Sequence, residues 1–332
     1  MSRRDAFDRK LESLAALRAL DSASIETPLR KALADLNGLY VSKAAALVAD
    51  RGLASFVPDL IRAFQRFTSH ADPAKADPQC WAKNALIRAL HELGHRQPDI
   101  YLRGLRCVQP EAGFGGRPDS AGPLRGLCAL ALADADHPPR LILTALTNLL
   151  VDPEKAARLD AVRAVARMAQ PESALLLRLK TLTGDAHPDV MRECLVSLMT
   201  LAPAESTQLV ARYLEVDENG DDLLCADAAE ALASARHPEA LDALLAFLAR
   251  SEVPTATRRT ILLTLAASTL PAAGGYLVEV IAGERAELAA AAITALGASR
   301  FREDQRERVT VILAGRRDAG LHRAFTQAFA AR

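Results

Sequence analysis

The chain has 332 residues, half of them apolar, and its 41 Lys plus Arg balance 41 Asp plus Glu, so the formal net charge is zero. This length exceeds one ordinary compact core and indicates two domains or an elongated array. A net charge of zero counts against a dedicated nucleic-acid-binding protein, which usually carries a basic excess. Aromatic residues make up only 4%, and the dominance of Ala and Leu favours closely packed helices over sheets.

The cysteines form no metal-binding or disulfide pattern. They are odd in number and far apart, and no CxxC pair occurs, so neither a zinc module nor a disulfide framework is expected. The first residues are charged and lack an apolar signal core, and no window offers the roughly 20 apolar residues of a membrane span. We therefore expect a cytoplasmic protein with no cofactor, no bound metal and no membrane contact. The cysteines are Cys80, Cys107, Cys128, Cys194 and Cys225.

Residues 1–23 are predicted to form an N-terminal capping helix, because the terminal unit of a helical array needs a polar outer face. From residue 24 onward a helical signature recurs nine times, beginning with VSKAAALVAD, WAKNALIRAL and PLRGLCALAL. Its third position is occupied by Lys43, Lys83, Arg125, Arg158, Arg192, Ala226, Arg258, Ala289 and His322. Successive separations are 40, 42, 33, 34, 34, 32, 31 and 33 residues, which is room for two helices of about 13 residues and two turns.

A helical hairpin of this size cannot bury its apolar face alone, so the hairpins must stack on their neighbours. Proline marks several joints, in HPP at His137, HPD at His187 and HPE at His237. Proline is tolerated in the first turn of a helix because no hydrogen bond is lost there. We predict an all-α solenoid of about nine helical hairpins over residues 24–332.

An acidic residue stands six positions before the basic signature residue in four repeats and seven before it in a fifth. The pairs are Asp77/Lys83, Asp119/Arg125, Asp152/Arg158, Asp185/Arg192 and Glu252/Arg258. With this pattern the chain resembles the HEAT-repeat family, which includes bacterial HEAT-like and PBS-lyase-HEAT-like proteins, over almost its whole length. The resemblance implies a right-handed α-α superhelix of the ARM/HEAT type, in which these acidic and basic residues form a structural ladder along the stack.

Residues 91–95 read HELGH and match the HExxH zinc motif. On a helix, this motif places two imidazoles one turn apart, with the Glu able to activate a metal-bound water. The repeat alignment instead puts His91 and Glu92 at the end of a second helix, with Gly94 as its C-terminal stop and His95 in the turn. No third ligand is evident, although a catalytic zinc needs three. A zinc metallopeptidase is therefore a remote alternative.

Two other motifs are weak. Residues 217–222 have the Asp-x-Asn-x-Asp spacing of a calcium loop, but the loop glycine is misplaced and the twelfth position is Ala228 rather than Glu. We interpret this segment as a solvated turn. The GFGG run at Gly113 follows no predicted strand, so it is not expected to bind a dinucleotide.

The two longest separations place extra residues in adjacent repeats, at 68–79 and 107–122. Each insertion connects the first helix of a hairpin to the second, so both emerge on the same edge, and insertions gathered on one face often mark a binding face. The only tryptophan follows the first insertion; a tryptophan in a helical stack ordinarily packs between helices. We predict a partner-binding surface here, formed by Trp81, Lys83, Arg106, Gln109, Glu111, Phe114, Arg117 and Arg125.

The predicted function is a non-catalytic scaffold or adaptor whose partner is another protein. The alternative is a DNA-binding or DNA-repair solenoid similar to the alkylpurine glycosylases, because the basic signature residues form a column. The zero net charge, the single tryptophan and the acidic partners of that column count against it. A bilin-lyase-like HEAT protein would share only the repeat, and a fold by itself does not select among these functions.

Overall fold

The computed structural model describes residues 3–113, 116–215 and 223–330. Within these ranges the chain forms α-helices and short 3-10 helices, and the only β-structure is two isolated bridges. The all-α prediction is confirmed. Phe114 and the segment 217–222, both singled out above, lie outside the described residues. Each described helix is too short or too polar to cross a membrane.

The chain divides into two compact units, Met1–Ser173 and Ala174–Arg332. We refer to them as unit 1 and unit 2. The sequence pattern did not indicate this division, because the repeat continues through it.

Unit 1 holds the first ten helices. They are α1 (Arg3–Ala16), α2 (Ser22–Leu33), α3 (Gly38–Asp50), α4 (Val57–Thr68), α5 (Pro73–Ala76), α6 (Trp81–Glu92), α7 (Pro98–Gly104), α8 (Gly122–Ala133), α9 (Pro139–Leu149) and α10 (Lys155–Met168). The next helix, α11 (Pro171–Thr183), begins in unit 1 and ends in unit 2.

Unit 2 holds the remaining nine helices of the described chain. They are α12 (Pro188–Leu201), α13 (Pro203–Ala211), α14 (Leu223–Ser234), α15 (Pro238–Leu248), α16 (Thr255–Thr264), α17 (Pro271–Gly283), α18 (Ala286–Ala298), α19 (Arg302–Gly315) and α20 (Ala319–Ala328).

Every signature of the repeat lies on the second helix of a pair. The second helices are α3, α6, α8, α10, α12, α14, α16, α18 and α20, so the described residues contain the nine predicted hairpins. Within each unit, consecutive second helices pack against one another. The right-handed course of the stack and the capping role of residues 1–23 stay predictions.

Proline begins the helices where the joints were predicted. Pro139, Pro188 and Pro238 are the first residues of α9, α12 and α15. The fixed φ of proline suits the first helical turn, and its missing N–H would have no helical acceptor there. The histidine before each of Pro188 and Pro238 is extended, as the residue before a proline prefers.

Small residues allow the second helices of unit 1 to approach closely. A Cβ on Gly122 would lie 2.7 Å from Cβ of Glu154, and one on Gly126 would lie 2.5 Å from Oδ2 of Asp160. Both acidic residues stand on or just before α10. Leucines of the second helices such as Leu86 and Leu124 are completely buried, and each stabilises the fold by about 1.5–3 kcal/mol.

Both insertions lie between a first and a second helix of unit 1. The first joins α4 to α6 and includes α5 and the 3-10 turn Pro78–Cys80. The second joins α7 to α8 and doubles back on itself, with antiparallel bridges between Pro110 and Asp119 and between Gly113 and Gly116. The N–H of Glu111 donates to the carbonyl of Pro118 at 3.0 Å. The second insertion is therefore a short hairpin.

Candidate functional site

The turn that precedes α6 has an unusual backbone. Gln79 and Cys80 have φ values of 55° and 53°, in the left-handed region that costs a non-glycine residue about 1–3 kcal/mol. Asp77, which is fully buried, holds the start of the helix. Its Oδ1 accepts the N–H of Ala82 at 2.7 Å, and its Oδ2 accepts the N–H of Lys83 at 3.0 Å. The first insertion thus ends in a strained turn fixed to α6 by a carboxylate.

A buried lysine connects this turn to the second insertion. Nζ of Lys83 lies 3.1 Å from Oδ2 of Asp77 and donates to Oε1 of Gln109 at 2.8 Å. The side chain of Lys83 is only 2% exposed, and a cation at such a position is stable only when it is paired and hydrogen-bonded. Nε2 of Gln109 in turn donates to the carbonyl of Asp77 at 2.9 Å. The two insertions therefore contact each other directly.

Glu111 forms a second link between the insertions. Its Oε1 accepts the N–H of Gln79 and Nε2 of Gln109, both at 2.7 Å, and also the hydroxyl of Ser120. Burial raises the pKa of the Glu111 carboxyl, but the hydrogen bonds from Ser120, Gln109 and Gln79 outweigh it, so the pKa lies below its ordinary value. The ionised carboxylate holds the left-handed turn against the hairpin.

Arg125 is the central cation of the next hairpin. Its Nη1 donates to Oδ2 of Asp119 at 2.6 Å and to the carbonyl of Cys107 at 2.7 Å. Its Nε and Nη2 bind the two carboxylate oxygens of Asp152 at 2.8 and 2.7 Å, a bidentate geometry. Burial lowers the pKa of Arg125, but its hydrogen bonds to Asp152 and Asp119 outweigh this, so the pKa is raised above the ordinary value. The guanidinium therefore ties the hairpin insertion to the turn before α10.

Asp119 closes the base of the hairpin. Burial raises the pKa of its carboxyl. Hydrogen bonds from the N–H groups of Gln109 and Ala121 and from Arg125 outweigh this effect, so the pKa lies below its ordinary value. Oδ1 accepts those two N–H groups at 2.7 and 2.9 Å. Backbone groups that would otherwise be buried without partners are satisfied in this way.

The ladder continues through the backbone at the following repeat. Nη1 of Arg158 donates to the carbonyl oxygens of Asp152 and Pro153 at 2.7 and 2.9 Å. The carboxylate of Asp152 is occupied by Arg125 and by the N–H of Glu154, the latter at 2.8 Å. Asp152 therefore bridges two repeats, because it contacts both Arg125 and Arg158.

In unit 2, Arg192 connects two neighbouring second helices. It lies 3.2 Å from Oδ1 of Asp227 and 2.9 Å from Oε2 of Glu230, both on α14. Asp185 lies 2.8 Å from Nζ of Lys180. The side chain of Arg192 is half exposed and extends along the surface from α12 to α14, which is a contact between neighbouring repeats.

Glu252 and Arg258 contact different residues. Glu252 lies 2.7 Å from Arg250, which is only two residues away in the same turn. Arg258 donates to the carbonyl of Arg250 at 2.6 Å and lies 3.7 Å from Glu284. A nearer cation takes the carboxylate, so the sequence spacing alone did not determine the partner.

A cleft of about 370 Å³ opens between the two insertions of unit 1. The residues that line it include Ser69, Pro73, Lys83, Arg103, Arg106 and Cys107. Gln109, which binds the ammonium of Lys83, also lines the cleft. The buried polar network therefore forms part of a surface concavity.

The predicted partner-binding residues separate into two groups. Lys83, Gln109 and Arg125 are at most 3% exposed, so burial removes Arg125 from direct contact with a partner and leaves Lys83 and Gln109 accessible only through the cleft. Trp81 is 45% exposed, which is more than the ordinary packing role of a tryptophan allows. Arg106 and Arg117 are also exposed. The network thus supports the loops, and the exposed side chains form their outer surface.

The HExxH segment does not lie on one helix. The helix α6 ends at Glu92, and Gly94 has a φ of 73°, so the predicted helix end between His91 and His95 is confirmed. Nε2 of His91 lies 2.7 Å from Oδ2 of Asp134, whose Oδ1 accepts Nε of Arg167 at 2.8 Å. Among the described residues, no cluster of three or more His, Cys, Asp or Glu is arranged around a common metal position. His91 instead helps to join α6, α8 and α10.

The basic column offers little free charge to a phosphate backbone. Lys83, Arg125 and Arg158 are buried, and Arg192 and Arg258 lie against carboxylates. In the described part of unit 1, only Lys43 among the column's cations is exposed. The observation that favoured a DNA-binding solenoid is therefore accounted for by pairing within the protein.

Sequence reasoning missed several residues of this region, among them Gln79, Ser120 and Arg103. The strained turn has no sequence signal, because neither Gln79 nor Cys80 is a residue type that prefers a left-handed backbone. Arg103 could have been found, since Arg103 and Arg106 are three residues apart at the end of a predicted helix and would share one face.

No protein-family model and no curated protein sequence matches the chain. Among solved structures, it resembles the complex of CpcE and CpcF of phycocyanin lyase from Nostoc sp. PCC7120, with 19% identity and a TM-score of 0.38 over 77% of this chain and 94% of that chain. It also resembles Kap121p bound to Ste12p, with 13% identity and a TM-score of 0.48 over 98% of this chain and 40% of that chain. At these identities and TM-scores, neither likeness bears on function.

Proposed function

We propose that the protein is a non-catalytic interaction scaffold that binds another protein through the insertion edge, defined as residues 68–81 and 106–120 of unit 1. The observation that carries this proposal is the bonding of the two insertions to each other. Lys83, Gln109 and Glu111 hold two irregular loops together, and Trp81 is exposed at their junction.

The packing of the helices does not require this arrangement. The hairpin of α9 and α10 is closed by residues 150–154 alone, so a short turn is sufficient between a first and a second helix. Buried charges and a left-handed turn at Gln79 reduce stability unless they are compensated. Such features concentrate in loops that a rigid scaffold positions for binding.

Trp81 is the side chain best suited to anchor a partner. Tryptophan and arginine are the residue types that most often dominate the binding energy of protein interfaces. Val108, on the other insertion, is 66% exposed, and Arg106 and Arg117 are exposed near it in sequence. The insertion edge therefore combines apolar surface with guanidinium groups.

The proposal is tested by crosslinking and then by affinity. A photo-reactive amino acid placed at position 81 should label one partner protein in cells, and the same residue placed at the exposed Leu36 should not. With that partner purified, Trp81→Ala should raise the Kd at least about tenfold, or about 1.4 kcal/mol. The matched control is Leu141→Ala, which removes another exposed apolar side chain of unit 1.

Two results would overturn the proposal. One is equal labelling of the same protein from positions 36 and 81. The other is an unchanged Kd for Trp81→Ala when its far-ultraviolet circular dichroism and thermal midpoint match those of the wild type.

A further inference from the structure

The cleft between the insertions has an unbalanced charge. Its charged lining residues are Lys83, Arg103 and Arg106, and no acidic residue of the described chain lines it. Nη1 of Arg103 approaches only the hydroxyl of Ser69, at 3.5 Å. Within the described ranges, the side chain of Arg106 forms no ion pair or hydrogen bond. Two guanidinium groups therefore stand at the cleft without a carboxylate.

Two carboxylates are bonded to residues that line the cleft. Asp77 binds Lys83 and two backbone N–H groups. Glu111 accepts from Gln79, Gln109 and Ser120. Within the described residues, neither carboxylate forms an ion pair with Arg103 or Arg106.

The ammonium of Lys83 adds a third donor group. It carries three N–H donors and contacts two acceptors, Asp77 and Gln109, so its hydrogen-bonding capacity is not exhausted. It lines the cleft although it is almost completely buried. An anion in the cleft would therefore meet one buried cation as well as two exposed ones.

We infer that this cleft binds an acidic segment of the partner protein, with an Asp or Glu carboxylate held by Arg103 and Arg106. The inference rests on the proposed function and specifies the chemistry of the partner. Guanidinium groups match a carboxylate in a bidentate geometry. Pro73 and Val108 supply apolar wall for the residues that flank the carboxylate, and the volume lies in the range of small binding sites.

The cleft contains its own reporter. Cys107 lines it and is the only one of the five cysteines that is not buried. An occupant of the cleft should therefore slow the alkylation of Cys107 by N-ethylmaleimide. The extent of alkylation is measured by intact-protein mass spectrometry, and peptide mapping assigns it to Cys107. Burial raises the pKa of the Cys107 thiol, so the reaction is best measured at mildly alkaline pH.

Three probes distinguish the chemistry of the occupant. They are the peptide acetyl-Gly-Leu-Glu-Glu-Leu-Gly-amide, the same peptide with Gln in place of Glu, and inorganic phosphate at matched ionic strength. Near saturation the acidic peptide should slow alkylation about tenfold, because only the free protein reacts. The Gln peptide and phosphate should leave the rate unchanged.

Substitutions then locate the site. The double variant Arg103→Ala/Arg106→Ala should lose the protection, and Lys31→Ala/Arg140→Ala, which removes two other exposed cations of unit 1, should keep it. Arg103 and Arg106 are exposed, so the variant should retain the wild-type circular dichroism. If it does not, Arg103→Gln/Arg106→Gln removes the charges and keeps the length of the side chains.

The inference is overturned if the acidic peptide gives no protection, if phosphate protects equally well, or if protection persists in the double variant. Its failure is distinguishable from failure of the proposed function. A partner labelled from position 81 that binds the double variant normally would leave the scaffold intact and remove the acidic-segment inference. If the acidic peptide protects Cys107 but no partner is labelled from position 81, the cleft binds acidic segments and the proposed scaffold function is overturned.

Discussion

The two units place the basic residues of the same repeat position in different environments. In unit 1, Lys83 and Arg125 are buried and bonded to carboxylates on neighbouring turns. In unit 2, the side chain of Arg192 is 51% exposed, and the equivalent position on α18 is the buried Ala289. Lys83 and Arg125 of unit 1 are thus more deeply buried than Arg192 and Arg258 of unit 2, whose side chains are 51% and 20% exposed.

This difference follows from the insertions. An irregular loop has backbone groups without helical partners, and these must be satisfied when the loop is packed. In unit 1 the side chains of Asp119, Gln109 and Arg125 accept from or donate to that backbone. In unit 2, the connections from a first to a second helix at residues 249–254, 284–285 and 316–318 are short, so the signature positions beside them need no such network. The ion pairs of unit 1 are therefore the support of its loops.

The largest expected effect comes from removing the central cation. Arg125→Ala leaves Asp119 and Asp152 without their guanidinium, and we expect the free energy of unfolding of unit 1 to fall by about 3–5 kcal/mol. Arg192→Ala in unit 2 should cost at most about 1 kcal/mol, because its ion pairs are exposed to solvent. Hydrogen exchange with peptide mass spectrometry reports each unit separately. Equal losses in the two variants would contradict the contrast between the units.

A matched pair of glycines gives the next largest effect. A Cβ on Gly38 would lie 2.6 Å from Oδ1 and 3.0 Å from Cα of Asp77, whereas one on Gly275 of α17 would meet no atom within 4 Å. Gly38→Ala should destabilise unit 1 by about 1–3 kcal/mol through overpacking. Gly275→Ala should stabilise unit 2 by about 0.5–1 kcal/mol, because alanine favours the helix. Thermal denaturation checks both; a stabilising Gly38→Ala would show that Asp77 is free to move.

The acid sensitivity of unit 1 sharpens the comparison. The pKa values of Glu111 and Asp119 are lowered in the folded protein. The stability that these two carboxylates contribute is therefore complete above their unfolded-state pKa values near 4, and it is lost as the pH falls through their folded-state pKa values. Glu111→Gln should reduce the unfolding free energy by about 1 kcal/mol at neutral pH. It should also make the loss on acidification shallower. Urea unfolding between neutral and acidic pH measures both, and an unchanged acid slope would contradict the assignment.

The smallest expected effect is that of Asp227→Asn in unit 2, which should raise the free energy of unfolding rather than lower it. Burial raises the pKa of Asp227 above its ordinary value, although Arg192 lowers it in part. Its ionised form is therefore disfavoured in the folded state, and this penalty decreases as the pH falls through the raised value. Asp227→Asn should stabilise unit 2 at neutral pH by up to about 0.5 kcal/mol. Glu230 remains as a partner of Arg192. A clear destabilisation in urea would show that the pair with Asp227 is favourable.

Much of the helical organisation was predictable, because it depends on local chemistry. The apolar period placed every signature on a second helix, and prolines such as Pro188 stand at helix starts because their conformation is suited to the first turn. Gly94 ended α6 where a left-handed residue was expected. The partners of Glu252 and Arg192 were not predictable, since a long cation reaches several carboxylates and the nearest one is determined by packing.

Amino-acid pattern alone was enough for the all-α class, for the nine hairpins and for the location of both insertions, because helix periodicity and proline placement are encoded over a few residues. Tertiary structure decided which charges are buried and which are exposed. Lys83 and Arg106 are both basic residues beside an insertion, yet one is enclosed by Asp77 and Gln109 and the other stands at the cleft. The contact between Lys83 and Gln109 joins residues 26 positions apart, and no local pattern records it.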